Sequence, residues 1–122
     1  MDTERPADEL RRVGTVGDRA VYRHETDGTY HAWIARDSVR ETTTYVLVGT
    51  VGVALGRDPG HLEPIATAID PEALTDLVAH WLSDPHTDDI GELTFRFLDC
   101  RVTLTGNGQC VVDPKIVRTR ST

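Results

Sequence analysis

The sequence predicts an α+β fold: an antiparallel sheet, made of an N-terminal hairpin and a C-terminal three-strand meander, with two main helices packed on one face. Residues 19–34 and 91–114 alternate apolar and polar side chains at strand spacing, whereas residues 69–82 repeat apolar side chains at helical spacing. The chain has 122 residues, which is enough for one modest hydrophobic core. We therefore expect a single domain.

The expected domain spans residues 18–114. The segment before it, residues 1–17, is polar and interrupted by glycine, which predicts a disordered stretch, and residues 115–122 form a short basic tail. The start of the chain lacks the apolar core of a secretory signal. The longest apolar run, within residues 42–56, is shorter than the roughly 18 to 20 residues needed to cross a bilayer. We expect a cytoplasmic protein without membrane contact.

Residues 19–34 predict a β-hairpin that is closed by a two-residue turn at Asp27-Gly28, a strong signal for a type I′ turn. Side chains that face each other across such a pair of strands share one sheet face. One predicted face carries Tyr22, His24, His31 and Trp33, and the other carries Val21, Tyr30, Ala32 and Ile34.

His24 and His31 lie opposite each other in this hairpin, so their imidazoles are a first candidate for a metal site. A structural metal site needs further ligands, and the sequence names none on another element. We therefore predict a surface histidine pair without a metal, and no cofactor elsewhere in the chain.

Residues 42–56, TTTYVLVGTVGVALG, allow two interpretations. The Thr, Tyr and Val side chains favour a strand. Asp37 and Ser38, however, offer helix N-caps, Gly56 offers a residue that ends a helix, and the length between them is typical of a helix. The pattern alone leaves the two nearly even, because each glycine inside a helix costs about 1 kcal/mol.

If this segment is helical, one of its faces carries a strip of small residues beside an aromatic ring. The strip consists of Tyr45, Gly49, Gly52 and Gly56. Glycine lets a second backbone approach closely, and a surplus apolar face often marks an interface. We predict this strip as an interaction surface, for a protein partner or for a second copy of the chain in a homodimer.

Residues 69–82, IDPEALTDLVAHWL, predict a second helix. Asp70 is a favoured N-cap residue, and Pro71 suits the first helical position because its missing N–H has no partner there anyway. The apolar stripe at helical spacing consists of Leu74, Leu77, Val78, Trp81 and Leu82. Trp81 could stack on a ligand, but its place in the stripe favours a core position.

Residues 91–114 predict a three-strand meander with a tight turn at Leu98-Asp99 and a three-residue loop at 106–108. The first turn pairs Leu93 with Leu104, Phe95 with Val102 and Phe97 with Cys100. The second pairs Leu104 with Cys110, Val102 with Val112 and Arg101 with Asp113. All the apolar partners fall on one face, so the other face is expected to contact solvent.

Two groups on the meander raise chemical hypotheses. Arg96 and Arg101 are neighbours on the solvent face and could hold a phosphate, but Asp113 lies opposite Arg101 and already offers a partner. Cys100 and Cys110 lie four pairing positions apart, on the order of 13 Å, which is too far for a disulfide. We expect both cysteines to be reduced core residues.

The overall charge narrows the choice of partners. The net charge is −7, from 20 acidic and 13 basic residues, and Lys115 is the sole lysine. Carboxylates stay hydrated in molar salt, which also screens their mutual repulsion. This composition favours a halophilic protein with an acidic surface, although a GC-rich genome also favours arginine codons.

Three sequence elements carry a resemblance to a known family. They are Gly56-Arg57-Asp58-Pro59, Leu62-Glu63-Pro64 and the helix opening Ile-Asp-Pro-Glu-Ala-Leu at residues 69–74. With a short strand before them and an aromatic strand pair after them, residues 30–113 resemble the small haloarchaeal output domain, the first of the halobacterial output-domain types. The resemblance implies that residues 42–56 are helical. It also implies an α+β domain used alone or attached to signal-receiver modules, and it supplies no catalytic residues.

We therefore expect a non-catalytic signalling or regulatory module that acts through protein contact or homodimerisation. The alternative is a transcriptional regulator that contacts nucleic acid through basic termini, above all through Lys115, Arg118 and Arg120. The acidic charge of the domain disfavours it, because salt weakens binding to phosphates.

An enzyme is the third class. A metal site near the end of the second helix could use His80, His86, Asp88 and Asp89. The spacing of these residues is more typical of a helix end followed by a solvated loop, and no nucleophile, P-loop or zinc motif accompanies them.

Overall fold

A computed structural model describes residues 10–83 and 91–114. Within these residues the chain forms one six-stranded antiparallel sheet and two helices, which confirms the predicted α+β class. The strands are β1 Leu10–Val16, β2 Arg19–His24, β3 Tyr30–Trp33, β4 Glu92–Phe97, β5 Cys100–Thr105 and β6 Gln109–Asp113. The helices are α1 Val39–Leu55 and α2 Pro71–Ser83.

The spatial order of the strands is β1-β2-β3-β6-β5-β4. The N-terminal strands and the C-terminal meander are joined by β3 and β6, which pair Tyr30 with Val112 and Ala32 with Cys110. This junction leaves β1 and β4 at the two edges of the sheet.

The meander has the register that its turns predict. Every pairing predicted between β4 and β5, and between β5 and β6, is present. Leu98 and Asp99 have φ angles of 53° and 70°, the left-handed backbone of a type I′ turn. Gly108, with φ of 92°, supplies the positive angle that closes the second loop.

The N-terminal hairpin forms, but its predicted register was wrong by two residues. Tyr22 pairs with His31 rather than with Trp33. Because side chains alternate with a period of two, a slip of two residues leaves each side chain on its predicted face. Val21 and Ala32 are accordingly buried beneath the sheet.

The loop chemistry around Asp27 explains the slip. The Asp27 carboxylate accepts hydrogen bonds from the amide and the hydroxyl of Thr29, at 3.1 and 2.7 Å. The amide of Gly28 donates to the carbonyl of His24, and the amide of His24 donates to the carbonyl of Thr29. These bonds close a loop over residues 25–28, so that Asp27-Gly28 is part of a longer connection and not a two-residue turn.

The first strand corrects a second expectation. Residues 10–17 were predicted to be disordered with the rest of the N-terminal segment, but Leu10–Val16 is strand β1, paired along β2. A bulge interrupts the pairing between Arg12 and Gly14. The sequence signal was weak because the apolar residues Leu10, Val13 and Val16 are spaced by three residues and not by two, and Val16 is the one buried side chain of the strand.

Helix α2 begins as predicted. The carboxylate of Asp70 accepts hydrogen bonds from the amides of Glu72 and Ala73, at 3.0 and 3.3 Å, which satisfies two donors of the first turn. The side chains buried on its inner face are Leu74, Thr75, Val78 and Leu82.

Two members of the predicted α2 stripe, Leu77 and Trp81, are only partly buried. Trp81 packs against the core, with its indole directly over Gly91. Thr75, which the predicted stripe did not include, is buried, and its hydroxyl donates to the carbonyl of Pro71 at 2.9 Å. The threonine hydroxyl is thus satisfied inside its own helix.

Helix α1 runs over Val39–Leu55, which confirms the helical interpretation of residues 42–56. It ends at Gly56, whose φ of 68° lies in the left-handed region. The amide of Gly56 donates to the carbonyl of Val53, and the amide of Arg57 donates to the carbonyl of Gly52 at 2.9 Å. These bonds satisfy the carbonyls of Gly52 and Val53 in the last turn of the helix.

The hydrophobic core lies between the helices and one face of the sheet. Its largest fully buried side chains are Phe97, Leu47, Leu74, Leu104, Val21, Val46, Val51, Val78, Val102 and Val112. On that face of the sheet, α1 contacts β1, β2, β3 and β6. Within the described residues, no helix covers the opposite face.

Candidate functional site

An apolar hollow of about 300 Å³ opens beside the middle of α1. Tyr45 forms one wall and is half exposed, with its ring lying across the β1–β2 turn at Gly17. The residues that line the hollow are Val16, Thr44, Tyr45, Val48, Gly49, Pro59 and Ile65. The hollow thus lies where α1, the end of β1 and the connection between the helices meet.

The connection between the helices supplies the far wall of this Tyr45 hollow. Pro59 begins a short 3-10 turn that Asp58 caps, because the carboxylate of Asp58 accepts the amide of Gly60 at 3.0 Å. Ile65 begins a second 3-10 turn, directly after Pro64. Two prolines therefore fix the backbone on both sides of the connection and hold its apolar side chains against α1.

The predicted strip on α1 is covered at its centre. Gly49 is buried under the side chain of Val16, which occupies the space that a Cβ atom would need. Gly52 is buried against the connection, where a Cβ atom would lie 2.8 Å from the carbonyl oxygen of Arg57 and 3.2 Å from Pro59. The close approach that these glycines permit is therefore used within the chain.

The ends of the strip remain at the surface. Tyr45 and Gly56 are exposed, and the two buried glycines separate them. A second helix therefore cannot lie along all four predicted residues. The exposed apolar surface is instead the Tyr45 hollow. Val48, Pro59 and Ile65 also line it, and the sequence analysis did not identify these three residues.

A second polar and aromatic cluster lies on the open face of the sheet. The imidazoles of His24 and His31 are adjacent, with ring centroids 6.1 Å apart, although they lie diagonally and not directly opposite. His31 is held by the hydroxyl of Thr29 at 2.8 Å and by the amide of Gln109 at 3.0 Å. Both nitrogens of the His31 ring are therefore engaged with polar side chains.

The charge state of His31 suits a metal ligand, but the described residues around it do not complete a cation site. Burial lowers the pKa of His31, an effect that Asp27 opposes and His24 reinforces. The imidazole of His31 is therefore neutral at neutral pH. Across residues 10–83 and 91–114, no group of three or more His, Cys, Asp or Glu side chains has an arrangement that could hold a metal ion.

Tyr22 and Trp33 form an edge-to-face aromatic pair on the same open face, with ring centroids 6.1 Å apart. Together with Arg19 and Ala20 they line a shallow hollow of about 200 Å³. A 36% exposed tryptophan beside an arginine offers a flat stacking surface. Among the described residues, Arg19 is the charged group that lines this hollow.

The meander candidates have the positions that their register predicts. Arg96 and Arg101 are direct neighbours across the β4–β5 pair, and Asp113 lies opposite Arg101. Cys100 and Cys110 are free and buried. Burial raises the pKa of Cys100 to about 11 and that of Cys110 to about 12, so neither thiol is a nucleophile at neutral pH.

Several sequence candidates fall outside the described residues. They are His86, Asp88 and Asp89 of the metal hypothesis, and Lys115, Arg118 and Arg120 of the nucleic-acid hypothesis. His80 is described and is exposed on α2. In the described part of the chain, no helix is long and apolar enough to span a bilayer.

A comparison with protein families identifies the family of this chain. The profile of the family halobacterial output domain 1 matches residues 39–114, which span α1, α2 and the meander. The chain belongs to this family. That confirms the resemblance seen in the sequence, and the family is not a known enzyme family. No curated protein and no solved structure matches the chain.

The region matched by the family profile contains only part of the sheet. The match begins at residue 39, so β1, β2 and β3 lie before it, although β3 pairs along β6 inside the matched region. Val16 of β1 also covers Gly49 of α1. The strands before the match are therefore an integral part of the same sheet and core, as the sequence predicted for β2 and β3 but not for β1.

Proposed function

We propose that this halobacterial output domain is a non-catalytic regulatory module that acts by protein contact, and that the Tyr45 hollow is its contact surface. The observation that supports the proposal is an exposed apolar surface built from three separate segments of the chain. Among the described residues, no group of three or more His, Cys, Asp or Glu side chains could hold a metal ion.

The composition of the hollow suits a protein partner. Exposed tyrosines are enriched among the residues that contribute most to protein interfaces, since the ring is large and rigid and its hydroxyl stays hydrated. Val48 and Ile65 are partly buried at its floor and pack against the core, so the surface is held in a fixed shape. A partner side chain entering the hollow would meet apolar atoms without first displacing charged groups.

A salt-rich cytoplasm strengthens this argument. Apolar contacts persist at high salt, whereas contacts between exposed charges are screened within a few ångströms at about 1 M. Under those conditions salt screens the long-range attraction between a chain of net charge −7 and an oppositely charged partner. The nucleic-acid alternative, through Lys115, Arg118 and Arg120, meets the same objection.

The test compares two tyrosine variants as baits in a halophilic lysate at about 2 M KCl. Tyr45→Ala removes the wall of the hollow, and Tyr22→Ala is the matched control on the open sheet face. We expect quantitative mass spectrometry to find a protein that wild type and Tyr22→Ala retain and Tyr45→Ala loses. That protein should then bind the purified domain directly, with at least tenfold lower affinity for Tyr45→Ala.

Circular dichroism first establishes that both variants are folded. If both baits retain the same proteins, the hollow is not the contact surface. If the retained partner is nucleic acid, and removal of Arg118 and Arg120 releases it, the regulator hypothesis replaces the proposal.

A further inference from the structure

The two edges of the sheet differ in how well they could accept another strand. Edge strand β1 carries a bulge between Arg12 and Gly14, which twists its outer backbone groups out of line. Edge strand β4 pairs regularly with β5 through all six of its residues, from Glu92 to Phe97. Its sequence contains no proline. The β4 edge therefore has neither a bulge nor a proline, two features that interrupt edge pairing.

The turn at Leu98-Asp99 determines which backbone groups of β4 face outward. Residues that flank a two-residue turn form a hydrogen-bonded pair, and such pairs alternate along an antiparallel ladder. The amide of Gly106 donates to the carbonyl of Gly91 at 2.7 Å, which places this pair in the same alternation. The odd-numbered residues of β4 therefore bond to β5. The backbone groups of Glu92, Thr94 and Arg96 point away from the sheet.

We propose that a second copy of this chain pairs antiparallel with β4, about a two-fold axis at Thr94, so that the two sheets become one. The inference rests on the proposed function, protein contact, and names one partner for it. It uses a surface separate from the Tyr45 hollow. The register follows from the sequence of β4 itself.

Charge complementarity selects this register. With Thr94 opposite its own copy, Glu92 of each chain lies directly opposite Arg96 of the other, and the two-fold axis repeats the pair. A register centred on Phe95 or on Leu93 also uses the outward backbone groups, but it leaves both charges without an opposite partner. A register centred on Arg96 places two arginines against each other. Only the Thr94 register satisfies the charges on both sides.

The apolar face of the sheet is continuous in the same register. Leu93 of one chain lies opposite Phe95 of the other, on the face that the helices cover. Both side chains are partly buried within one chain and pack against its core. Pairing would cover their remaining exposed area, so the two cores meet across the new strand pair.

The expected dimer is weak because strand pairing alone buries less than the roughly 1,200 Å² typical of stable complexes. Light scattering should therefore show a mass that rises with concentration, from monomer near about 10 μM toward dimer above about 500 μM. The measurement uses the whole chain at the lowest KCl concentration that keeps it folded, since salt weakens the two charge pairs.

Charge reversal tests the register. Glu92→Arg and Arg96→Glu each place like charges opposite one another at both pairs, and each should weaken the dimer about tenfold. The double variant Glu92→Arg/Arg96→Glu restores both pairs and should dimerise like wild type. Arg12→Glu is the matched control, because it makes the same change on the same sheet face but on β1, at the opposite edge.

A cysteine pair tests the symmetry axis independently. In this register, the Cα atoms of Thr94 and its copy lie about 5.5 Å apart, within reach of a disulfide. The Cα atoms of Arg96 and its copy lie about 14 Å apart. Under mild oxidation, Thr94→Cys should form a covalent dimer and Arg96→Cys should not. Both native cysteines are buried and should not interfere.

A wild type that is monomeric at every concentration overturns the inference, and so does equal cross-linking at both positions. Failure of the double variant to recover dimerisation rejects the register. The proposed function fails separately, when Tyr45→Ala retains every partner. A chain that loses its dimer through Glu92→Arg but still binds its partner through Tyr45 supports both.

Discussion

The two helices of this domain are specified in different ways. Helix α2 is short, capped by Asp70 and buried along one stripe, so that its sequence alone predicts it. Helix α1 has buried residues on several sides, because it contacts α2, four strands and the connection between the helices. A helix enclosed on several sides loses the amphipathic pattern that identifies a surface helix. The sequence of α1 is therefore ambiguous between helix and strand because the helix is enclosed on several sides.

The unusual composition of α1 follows from that position. The hydroxyls of Thr42, Thr43 and Thr50 donate to carbonyls one turn earlier, at 2.7 to 2.8 Å, so that polar atoms are satisfied even where they are fully buried. Gly49 and Gly52 admit Val16 and the backbone after the helix. Strand propensity and glycine, which argue against a helix locally, are here requirements of tertiary packing.

The sharpest contrast between the helices is predicted for an arginine introduced into each. Gly52→Arg should abolish folding, because even a Cβ atom there lies 2.8 Å from the backbone oxygen of Arg57. Ala73→Arg, on the exposed side of α2, should leave stability nearly unchanged. Far-ultraviolet circular dichroism and thermal melts measure both. A folded Gly52→Arg protein would show that the connection can move away from α1.

A second comparison concerns two apolar residues within α2. Trp81→Ala should cost about 3 kcal/mol or more, since the indole packs over Gly91 and joins the core. Leu77→Ala, at a position only partly buried, should cost less than about 1 kcal/mol. Denaturant unfolding of the two variants gives the difference. Equal losses would mean that Leu77 contributes to the core as the sequence pattern first suggested.

The helix caps provide a third and smaller contrast. Asp70→Ala should cost about 1 kcal/mol, because two amides of α2 lose their acceptor. Ser38→Ala, at the corresponding position of α1, should cost almost nothing, since its side chain makes no capping hydrogen bond. The two midpoints of urea unfolding should therefore separate. A matching loss at Ser38 would indicate a cap that forms in solution.

The smallest effect is expected for Thr50→Val. Valine has nearly the same shape, and the carbonyl of Val46 that loses the hydroxyl is part of the helix ladder. The free energy of unfolding should change by less than about 1 kcal/mol. If the free energy of unfolding falls by more than about 2 kcal/mol, the hydrogen bond of the buried hydroxyl stabilises the fold by more than the cost of removing that hydroxyl from water.

The parts of the fold that the sequence predicted share one property, which is that local chemistry determines them. The turn at Leu98-Asp99 and the cap at Asp70 set the meander and α2 without reference to distant residues. The slip of the hairpin has a local cause too, but Asp27 supports two turn types and the sequence offers no means of choosing between them.

The candidate site was predicted less completely. Tyr45 and Gly49 were identified, but Val16, Pro59 and Ile65 reach the hollow only through tertiary contacts. Because residues 1–17 were predicted to be disordered, no strand was expected to place Val16 over Gly49. An exposed helix face cannot be assigned from one helix alone, because the segments that cover it lie elsewhere in the sequence.

The β3–β6 pair has a consequence for how the chain reaches this fold. Gln109 bonds to His31 across 78 residues, in the middle of the sheet. The first three strands therefore have no central neighbour until almost the whole domain has been synthesised. Closing so long a loop is slow. Until it closes, the side of β3 that later pairs with β6 is an open sheet edge, and Ala32, which is buried in the folded domain, lies on that strand. We expect refolding to be limited by this closure, and the nascent domain to be most prone to aggregation just before β6 emerges.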